Sequence, residues 1–115
     1  VGVFGHPEAS NLVYLSLYAL RIAARAAGIV SAKDDILIAH RGLGLVADVF
    51  NESIIRKLEG PAAIGHNRYS TSGGLQLKNA QPFVVEYEHG GLAVAHNGNL
   101  VNSVDLRRRL QAQGS

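Results

Sequence analysis

The stretch from Leu92 to Asn102 constrains the fold more than any other part of the chain. Residues 92–95 are apolar and small or branched, as in a buried strand, and the pair Asn97-Gly98 then tolerates positive φ and turns the chain sharply. A buried strand that ends in this pair can hold an amide side chain and a backbone N–H at one rigid point, which is how proteins stabilise an oxyanion. The alternative is a turn present only for its backbone geometry.

A helix is predicted directly after this turn. Asn102 is a natural N-cap, Val101 and Leu106 have the spacing of a hydrophobic staple, and Gly114 fits the C′ position. The basic triplet 107–109 is expected on the solvated side of this helix. Strand, exposed polar turn and helix therefore follow one another directly.

The composition indicates one globular domain and excludes several kinds of partner and site. With 115 residues, of which 47% are apolar and 17% charged, the chain is long enough for one domain with a real core. A net charge of +2 is too small to indicate a nucleic-acid partner. The absence of cysteine excludes disulfides, a thiolate metal site and a thiol nucleophile, and we expect no metal. The apolar run from Leu12 to Ile22 is too short for a bilayer, so we expect a cytoplasmic protein without a membrane partner.

The first half of the chain predicts a strand, a helix and a hairpin. An amphipathic helix follows the first strand, and its helix-forming residues continue through Ala27, with Gly28 as the exit into a strand over 29–31. Residues 33–35 predict a hairpin turn, and residues 36–46 predict the returning strand. The glycines of that strand do not form a nucleotide-binding loop, because neither GxGxxG nor a following Lys-Ser/Thr is present.

The second half contains two polar clusters at the ends of predicted strands. Asn51 caps a short helix, a later strand runs into the polar residues 66–71, and a β-hairpin follows over 83–95. If the strands before residues 66–71 and 96–99 are neighbours, their polar ends converge. Arg68 is either part of a surface ion pair or a fork of donors that grips a carboxylate. These elements predict an α+β fold in which helices pack on a mainly antiparallel sheet.

Several segments, taken in order, resemble a known family. They are residues 2–10, 44–46 with 49–50, 64–71, 79–82 and 92–102. Together they resemble the start of the amidophosphoribosyltransferase family, in its class II glutamine amidotransferase domain. The resemblance implies an N-terminal nucleophile hydrolase fold, an αββα sandwich, of which residues 1–115 hold only the first half. It also implies that the phosphoribosyltransferase domain of that family is absent from this chain.

The resemblance also implies roles for individual residues. In that family the first residue is a cysteine whose thiol attacks the glutamine amide and whose α-amine acts as the base. Carried over, Asn97 and Gly98 form the oxyanion hole, Arg68 holds the α-carboxylate of glutamine, and Thr71 helps to fix its amino-acid end. The family uses the released ammonia to form phosphoribosylamine in the first step of de novo purine synthesis. Glutamine is thus the implied ligand, and no cofactor is implied for this chain.

Two departures from the family pattern bear on activity. Val1 occupies the place of the nucleophile, so the chain should not hydrolyse glutamine. Residues 21–26 are expected to continue the helix, whereas the family has a polar Gln-His-Arg-Gly-Gln-Glu loop there.

Three interpretations stay open at this point. The chain is an inactivated part of a glutamine amidotransferase domain, or it is a non-enzymatic scaffold, redesigned or decayed, that self-associates through exposed sheet. The second interpretation predicts a homo-oligomer, or a complementing chain, over unpaired edges and apolar surface. The third is that the sequence departs from the gene product near residue 1 and at residues 21–27, which an intact mass would decide.

Overall fold

Two antiparallel sheets and the helices around them form the fold. The computed structural model describes residues 1–20, 24–69 and 76–114. The elements are β1 (Gly2–Phe4), α1 (Ala9–Ala19), β2 (Ala26–Lys33), β3 (Ile36–Leu43), α2 (Val46–Val49), α3 (Glu52–Lys57), β4 (Ala62–Arg68), a 3₁₀ turn (Leu77–Asn79), β5 (Phe83–Tyr87), β6 (Gly90–Val94) and α4 (Ser103–Ala112).

The larger sheet has the strand order β1-β4-β2-β3, with every pair antiparallel. Strand β2 is central, since Ile29 lies opposite His40 on β3 and opposite Gly65 on β4. The first six residues of β2 are all buried, which shows that both faces of this strand are covered. Strands β5 and β6 form a separate hairpin sheet.

The alternation of side chains along β4 assigns its residues to two faces. A Cβ on Gly65 would lie 2.4 Å from Val13 Cγ1 and 2.9 Å from Leu17 Cδ1, so this residue faces α1 at a distance that only glycine permits. Asn67 Nδ2 donates a hydrogen bond of 3.1 Å to the carbonyl of Leu17, on the same face. Because successive side chains point to opposite faces, His66 and Arg68 lie on the face turned away from α1.

The core lies between α1 and the larger sheet, and it extends under α2 and α3. Its buried members are Ala9, Val13, Leu17, Ala27, Ile29, Val46, Val49, Phe50, Leu58 and Ala63. Ser10 is also buried there and donates from Oγ to the carbonyl of Leu58 at 2.6 Å, which ties α1 to the end of α3. This packing fixes α1 against one face and leaves the other face of β4 for polar side chains.

The predicted continuation of the first helix through Ala27 is wrong. Helix α1 ends at Ala19, and Ala26 already belongs to β2, while residues 21–23 lie outside the described residues. Alanine favours a helix by only a few tenths of a kcal/mol over most residues, whereas a central strand gains hydrogen bonds on both edges and buries its small side chains. The pairing of Ala26 with Leu43 and Arg68 therefore decides its conformation.

The predicted strand over 36–46 is also too long. Strand β3 ends at Leu43, Gly44 has φ +120°, and Val46 starts the short helix α2. The reversal brings Val46 and Val49 into the core, where both are buried. Burial of these two valines thus overrides their preference for extended structure.

Two predictions that rested on local chemistry are confirmed, the turn at Asp34-Asp35 and the cap at Asn51. Asp34 and Asp35 both have positive φ in the turn between β2 and β3, at 50° and 65°. Asn51 Oδ1 accepts a hydrogen bond of 2.8 Å from Ile54 N–H and caps α3. The predicted hairpin of β5 and β6 is present, but its turn is shorter than the predicted 88–91, because β6 already begins at Gly90. The whole is mixed α and β with antiparallel sheets, as predicted.

Candidate functional site

Residue 1 is held beside β4 by its main chain. The amine of Val1 donates to the carbonyl of Gly65 at 3.0 Å, and Gly65 N–H donates back to the carbonyl of Val1 at 2.8 Å. This reciprocal pair extends the β1–β4 ladder by one position and brings residue 1 next to His66. The isopropyl group of Val1 is half-exposed.

His66 lies among positive charges. Both of its ring nitrogens are buried, at a point where the backbone of His96 comes close to the ring. Burial lowers the pKa of His66 below its ordinary value of 6.5, and the charges of the Val1 amine and of Arg68 lower it further. His96 also acts on His66 electrostatically. Val1, His66, Arg68 and His96 therefore form one group, referred to below as the β4 cluster.

Arg68 is fixed at the end of β4. Its Nη1 donates to the carbonyl of Asn79 at 2.7 Å, and its own carbonyl accepts from Arg25 N–H at 2.7 Å. The guanidinium is half-buried, so its charge acts in a less polar medium than bulk water. A guanidinium is a planar fork of donors that suits a carboxylate, and the bond to Asn79 holds this one in a defined orientation.

His66, near the end of β4, and His96, just after β6, interact, but not for the predicted reason. Strands β4 and β6 belong to different sheets, so the premise that they are neighbours is wrong. His96 nevertheless acts on His66, because the hairpin sheet packs on β3 and its exit returns to the end of β4. Polar residues near the ends of strands in two different sheets can thus interact.

Asn97 and Gly98 follow β6 in an exposed, irregular segment. The prediction of a buried strand before them is wrong, because Leu92 and Val94 are about half exposed on a hairpin whose other face packs against the larger sheet. The predicted sharp turn is wrong as well, since neither Asn97 nor Gly98 has a positive φ.

The residue before Asn97, His96, donates its N–H to Gln81 Oε1 at 2.5 Å. Sequence reasoning had given no role to Gln81 or to His66, although both lie within segments that carry the family resemblance. Thr71, the remaining predicted site residue, lies outside the described residues.

The helix after this segment matches its prediction only in part. Helix α4 begins after Asn102 and is followed by Gly114 with φ +88°, as the C′ prediction requires. The side chain of Asn102 makes no capping hydrogen bond, and Val101 is fully exposed. The predicted hydrophobic staple to Leu106 is therefore wrong, since a staple requires both side chains to be packed.

A groove of about 890 Å³ opens at the other end of the larger sheet. Tyr14, Ile55 and Leu58 contribute its apolar lining, and Lys33 and Pro61 mark the ends of the strands that border it. Strand β4 starts at this groove and ends at Arg68, so the groove is separate from the β4 cluster.

The described residues 1–20, 24–69 and 76–114 contain no group of three side chains that could hold a metal ion. Within the same residues no helix is both long and apolar enough to cross a bilayer.

Comparison with known proteins identifies the family. The family model for class-II glutamine amidotransferases matches residues 45–114. The chain is 53% identical to amidophosphoribosyltransferase 3, chloroplastic, of Arabidopsis thaliana over 100% of its own length and 22% of that protein. It is 43% identical to the Bacillus subtilis amidophosphoribosyltransferase over 99% of its length and 24% of the relative. The chain thus spans a fifth to a quarter of the length of these curated relatives.

Solved structures agree with this assignment. The glutamine phosphoribosylpyrophosphate amidotransferase of B. subtilis complexed with ADP and GMP superposes with a TM-score of 0.87 at 41% identity, over 99% of this chain and 25% of that one. A structure described as the allosteric regulatory enzyme of purine biosynthesis gives a TM-score of 0.90 at 43% identity. The fold is the first half of the N-terminal nucleophile sandwich. The chain belongs to the class II glutamine amidotransferase family, and it corresponds to the N-terminal part of that domain in amidophosphoribosyltransferases.

Proposed function

We propose that this chain is part of a glutamine amidotransferase domain that binds glutamine but does not hydrolyse it. The observation that carries the proposal is the β4 cluster, in which the Val1 amine, Arg68 and His96 all act electrostatically on the partly buried His66. A positively charged, partly buried group of this kind favours a carboxylate ligand. Glutamine is the amino acid for which the family is named.

Each predicted site residue has a physical task in this proposal. The guanidinium of Arg68 binds the α-carboxylate, and Thr71 contributes to the amino-acid end of the ligand. The amide of Asn97 and the N–H of Gly98 donate to the carbonyl oxygen of the side-chain amide. These donors would stabilise negative charge on that oxygen if an intermediate formed.

Val1 prevents that intermediate from forming. Class II chemistry needs a thiol or hydroxyl at residue 1 to add to the amide carbon, and an isopropyl group has no lone pair to offer. The amine at this position would then have no proton to remove from a neighbouring nucleophile. Glutamine is therefore bound and released unchanged, and no ammonia is supplied for phosphoribosylamine formation.

Titration calorimetry of the unaltered chain with L-glutamine tests the binding proposal. We expect saturable binding that Arg68→Ala abolishes and Arg68→Lys weakens, because lysine keeps the charge but loses the bidentate fork. The matched control is Arg56→Ala, which removes an exposed arginine of α3 that pairs with Glu52. Absence of binding in the unaltered chain would overturn the proposal.

A glutaminase assay tests the inactivity separately. The unaltered chain should release no ammonia from glutamine above the rate of the buffer. Ammonia release by the unaltered chain, removed by Asn97→Ala, would contradict the assignment of Val1 as an inactivating residue. Val1→Cys, assayed together with the rest of an amidotransferase domain, should restore some release.

A second candidate function is that of a scaffold that associates with another chain. The register of β5 and β6 places Phe83, Val85, Leu92 and Val94 on one face of the hairpin sheet. Between 40% and 55% of the surface of each of these side chains is exposed. A contiguous apolar face of this kind is normally covered by another element or another chain.

Sedimentation velocity at increasing concentration tests this second candidate. Association should be lost in Val85→Lys and kept in Glu88→Lys, which changes charge in the neighbouring turn without touching the apolar face. A monomer at the highest concentration would exclude self-association and leave a complementing chain as the partner to be tested.

A further inference from the structure

The segment from Asn79 to Gln81 connects the two parts of the proposed site. Two of its carbonyls accept hydrogen bonds from arginines of the larger sheet. The carbonyl of Asn79 accepts from Arg68 at 2.7 Å, and the carbonyl of Ala80 accepts from Arg41 at 3.2 Å. The two arginines come from β4 and β3, on either side of β2. The segment is therefore fastened across the end of the sheet.

The main chain of Gln81 rests directly on β2. A Cβ on Gly28 would lie 2.1 Å from the Gln81 carbonyl oxygen, so this approach is open to glycine alone. Gly28 pairs with His66 on β4 and with Arg41 on β3. The position of Gln81 is thus set by the same strands that carry the β4 cluster.

The side chain of Gln81 extends from this fixed point to the other half of the site. Its Oε1 accepts the N–H of His96 at 2.5 Å. His96 immediately precedes Asn97 and Gly98, and this segment is irregular and exposed. Without a strand or helix of its own, the segment depends on contacts such as this one for a defined position.

We infer that Gln81 is a positioning residue, which holds the Asn97–Gly98 segment at a fixed place relative to Arg68. The inference rests on the proposed glutamine site and adds to it a residue that does not touch the ligand. Arg68 would bind the α-carboxylate, and Gln81 would keep the amide donors at the distance that glutamine requires. Donors aimed in advance at the carbonyl oxygen need no rearrangement when the ligand arrives.

The first test measures the contact itself, by amide hydrogen exchange at His96. Gln81→Leu removes the acceptor at similar size, and exchange at His96 should become about tenfold faster. Gln81→Glu keeps an oxygen at the same reach and should restore slow exchange. Gln111→Leu, on the exposed helix α4, is the matched control and should leave His96 unchanged.

The second test separates positioning from a general loss of structure, by calorimetry with two amino acids. L-Norvaline shares the α-amine and α-carboxylate of glutamine but has no amide. Gln81→Leu should weaken glutamine binding about tenfold and leave norvaline binding unchanged, since Arg68 still holds the carboxylate. Gln81→Glu should bind glutamine as the unaltered chain does.

The outcomes distinguish this inference from the proposed function. If the unaltered chain binds neither amino acid, the proposed site fails and the positioning role fails with it. If the unaltered chain binds glutamine but Gln81→Leu binds it equally well, or loses both ligands to the same extent, only the positioning role is overturned. Unchanged exchange at His96 in Gln81→Leu would also overturn it.

Discussion

Two apolar regions of the chain differ in their surroundings. One is the contact between α1 and the larger sheet, and the other is the outer face of the β5–β6 hairpin. Val13, Leu17 and Ile29 are at most 2% exposed, whereas Val85 and Leu92 are about half exposed. The first group lies between a helix and a sheet, and the second lacks a covering element among the described residues. Apolar patterning thus marks a face that can be buried, and the element that packs on it decides whether it is buried.

Truncation of one leucine of α1 in the packed region, and of one in helix α4, which is exposed like the hairpin face, should give the largest contrast. Leu17→Ala leaves a cavity between α1 and β4 and should lower the free energy of unfolding by about 2–5 kcal/mol. Leu110→Ala, on exposed α4, should change it by about 0.5 kcal/mol or less. Urea denaturation of both variants measures the difference, and equal losses would show that α4 is packed in solution.

Substitution of glycines should give the next largest effect. Gly65→Ala forces a methyl group against Val13 and Leu17 and should cost about 1–3 kcal/mol of stability. Gly2→Ala is the control, because its nearest neighbour, Ile64 Cγ2, would lie at an ordinary 3.6 Å. Thermal unfolding followed by circular dichroism gives both values. A neutral Gly65→Ala would contradict the close packing of α1 on β4.

Loss of a helix cap should have a smaller effect in the packed region. Asn51→Ala removes the acceptor of Ile54 N–H and should cost about 1 kcal/mol. Asn102→Ala, at the start of α4, should cost less, because the Asn102 side chain makes no capping hydrogen bond. Chemical denaturation of the two variants compares the helices directly, and a larger cost for Asn102→Ala would reverse the expected order.

A pH dependence is expected from His66, on the face of β4 that is turned away from α1. Because the pKa of His66 is lowered in the folded chain, the unfolded chain binds more protons below pH 6.5, and stability should fall as the pH drops below that value. The slope from one group cannot exceed about 1.4 kcal/mol per pH unit. His66→Gln should flatten the stability profile between pH 6.5 and 5. An unchanged profile in that variant would assign the slope to other groups.

Local chemistry in the sequence predicted a cap and a turn in the packed region, but not the contacts at the start of exposed α4, where Asn102 makes no capping hydrogen bond and Val101 is fully exposed. Asn51 caps α3 and the Asp34-Asp35 pair forms the β-turn, because each depends on residues within a few positions. Ala26 and Val46 were misassigned for the opposite reason. Their conformations are decided by strand pairing and by burial against residues distant in the chain. The helix or strand propensity of a single residue carries no information about such contacts.

The candidate site shows the same division. Arg68 and the Asn97–Gly98 pair were identified from strand ends and from the family resemblance. The positions of His66 and Gln81 depend on how two sheets face each other and on Gly28 opposite the Gln81 carbonyl. No spacing in the sequence indicates that the Gln81 carbonyl lies against Gly28. The positions of His66 and Gln81 near the candidate site are therefore known only from the structure.

The reciprocal hydrogen bonds between Val1 and Gly65 bear on which substitutions residue 1 can accept during evolution. Both bonds use main-chain atoms alone, so any side chain at residue 1 can occupy the same place without disturbing the strands. Folding therefore exerts no selection for a nucleophile there, and only a need for catalysis would retain one. The side chain of residue 1 can thus change while the pairing of β1 with β4 is inherited intact.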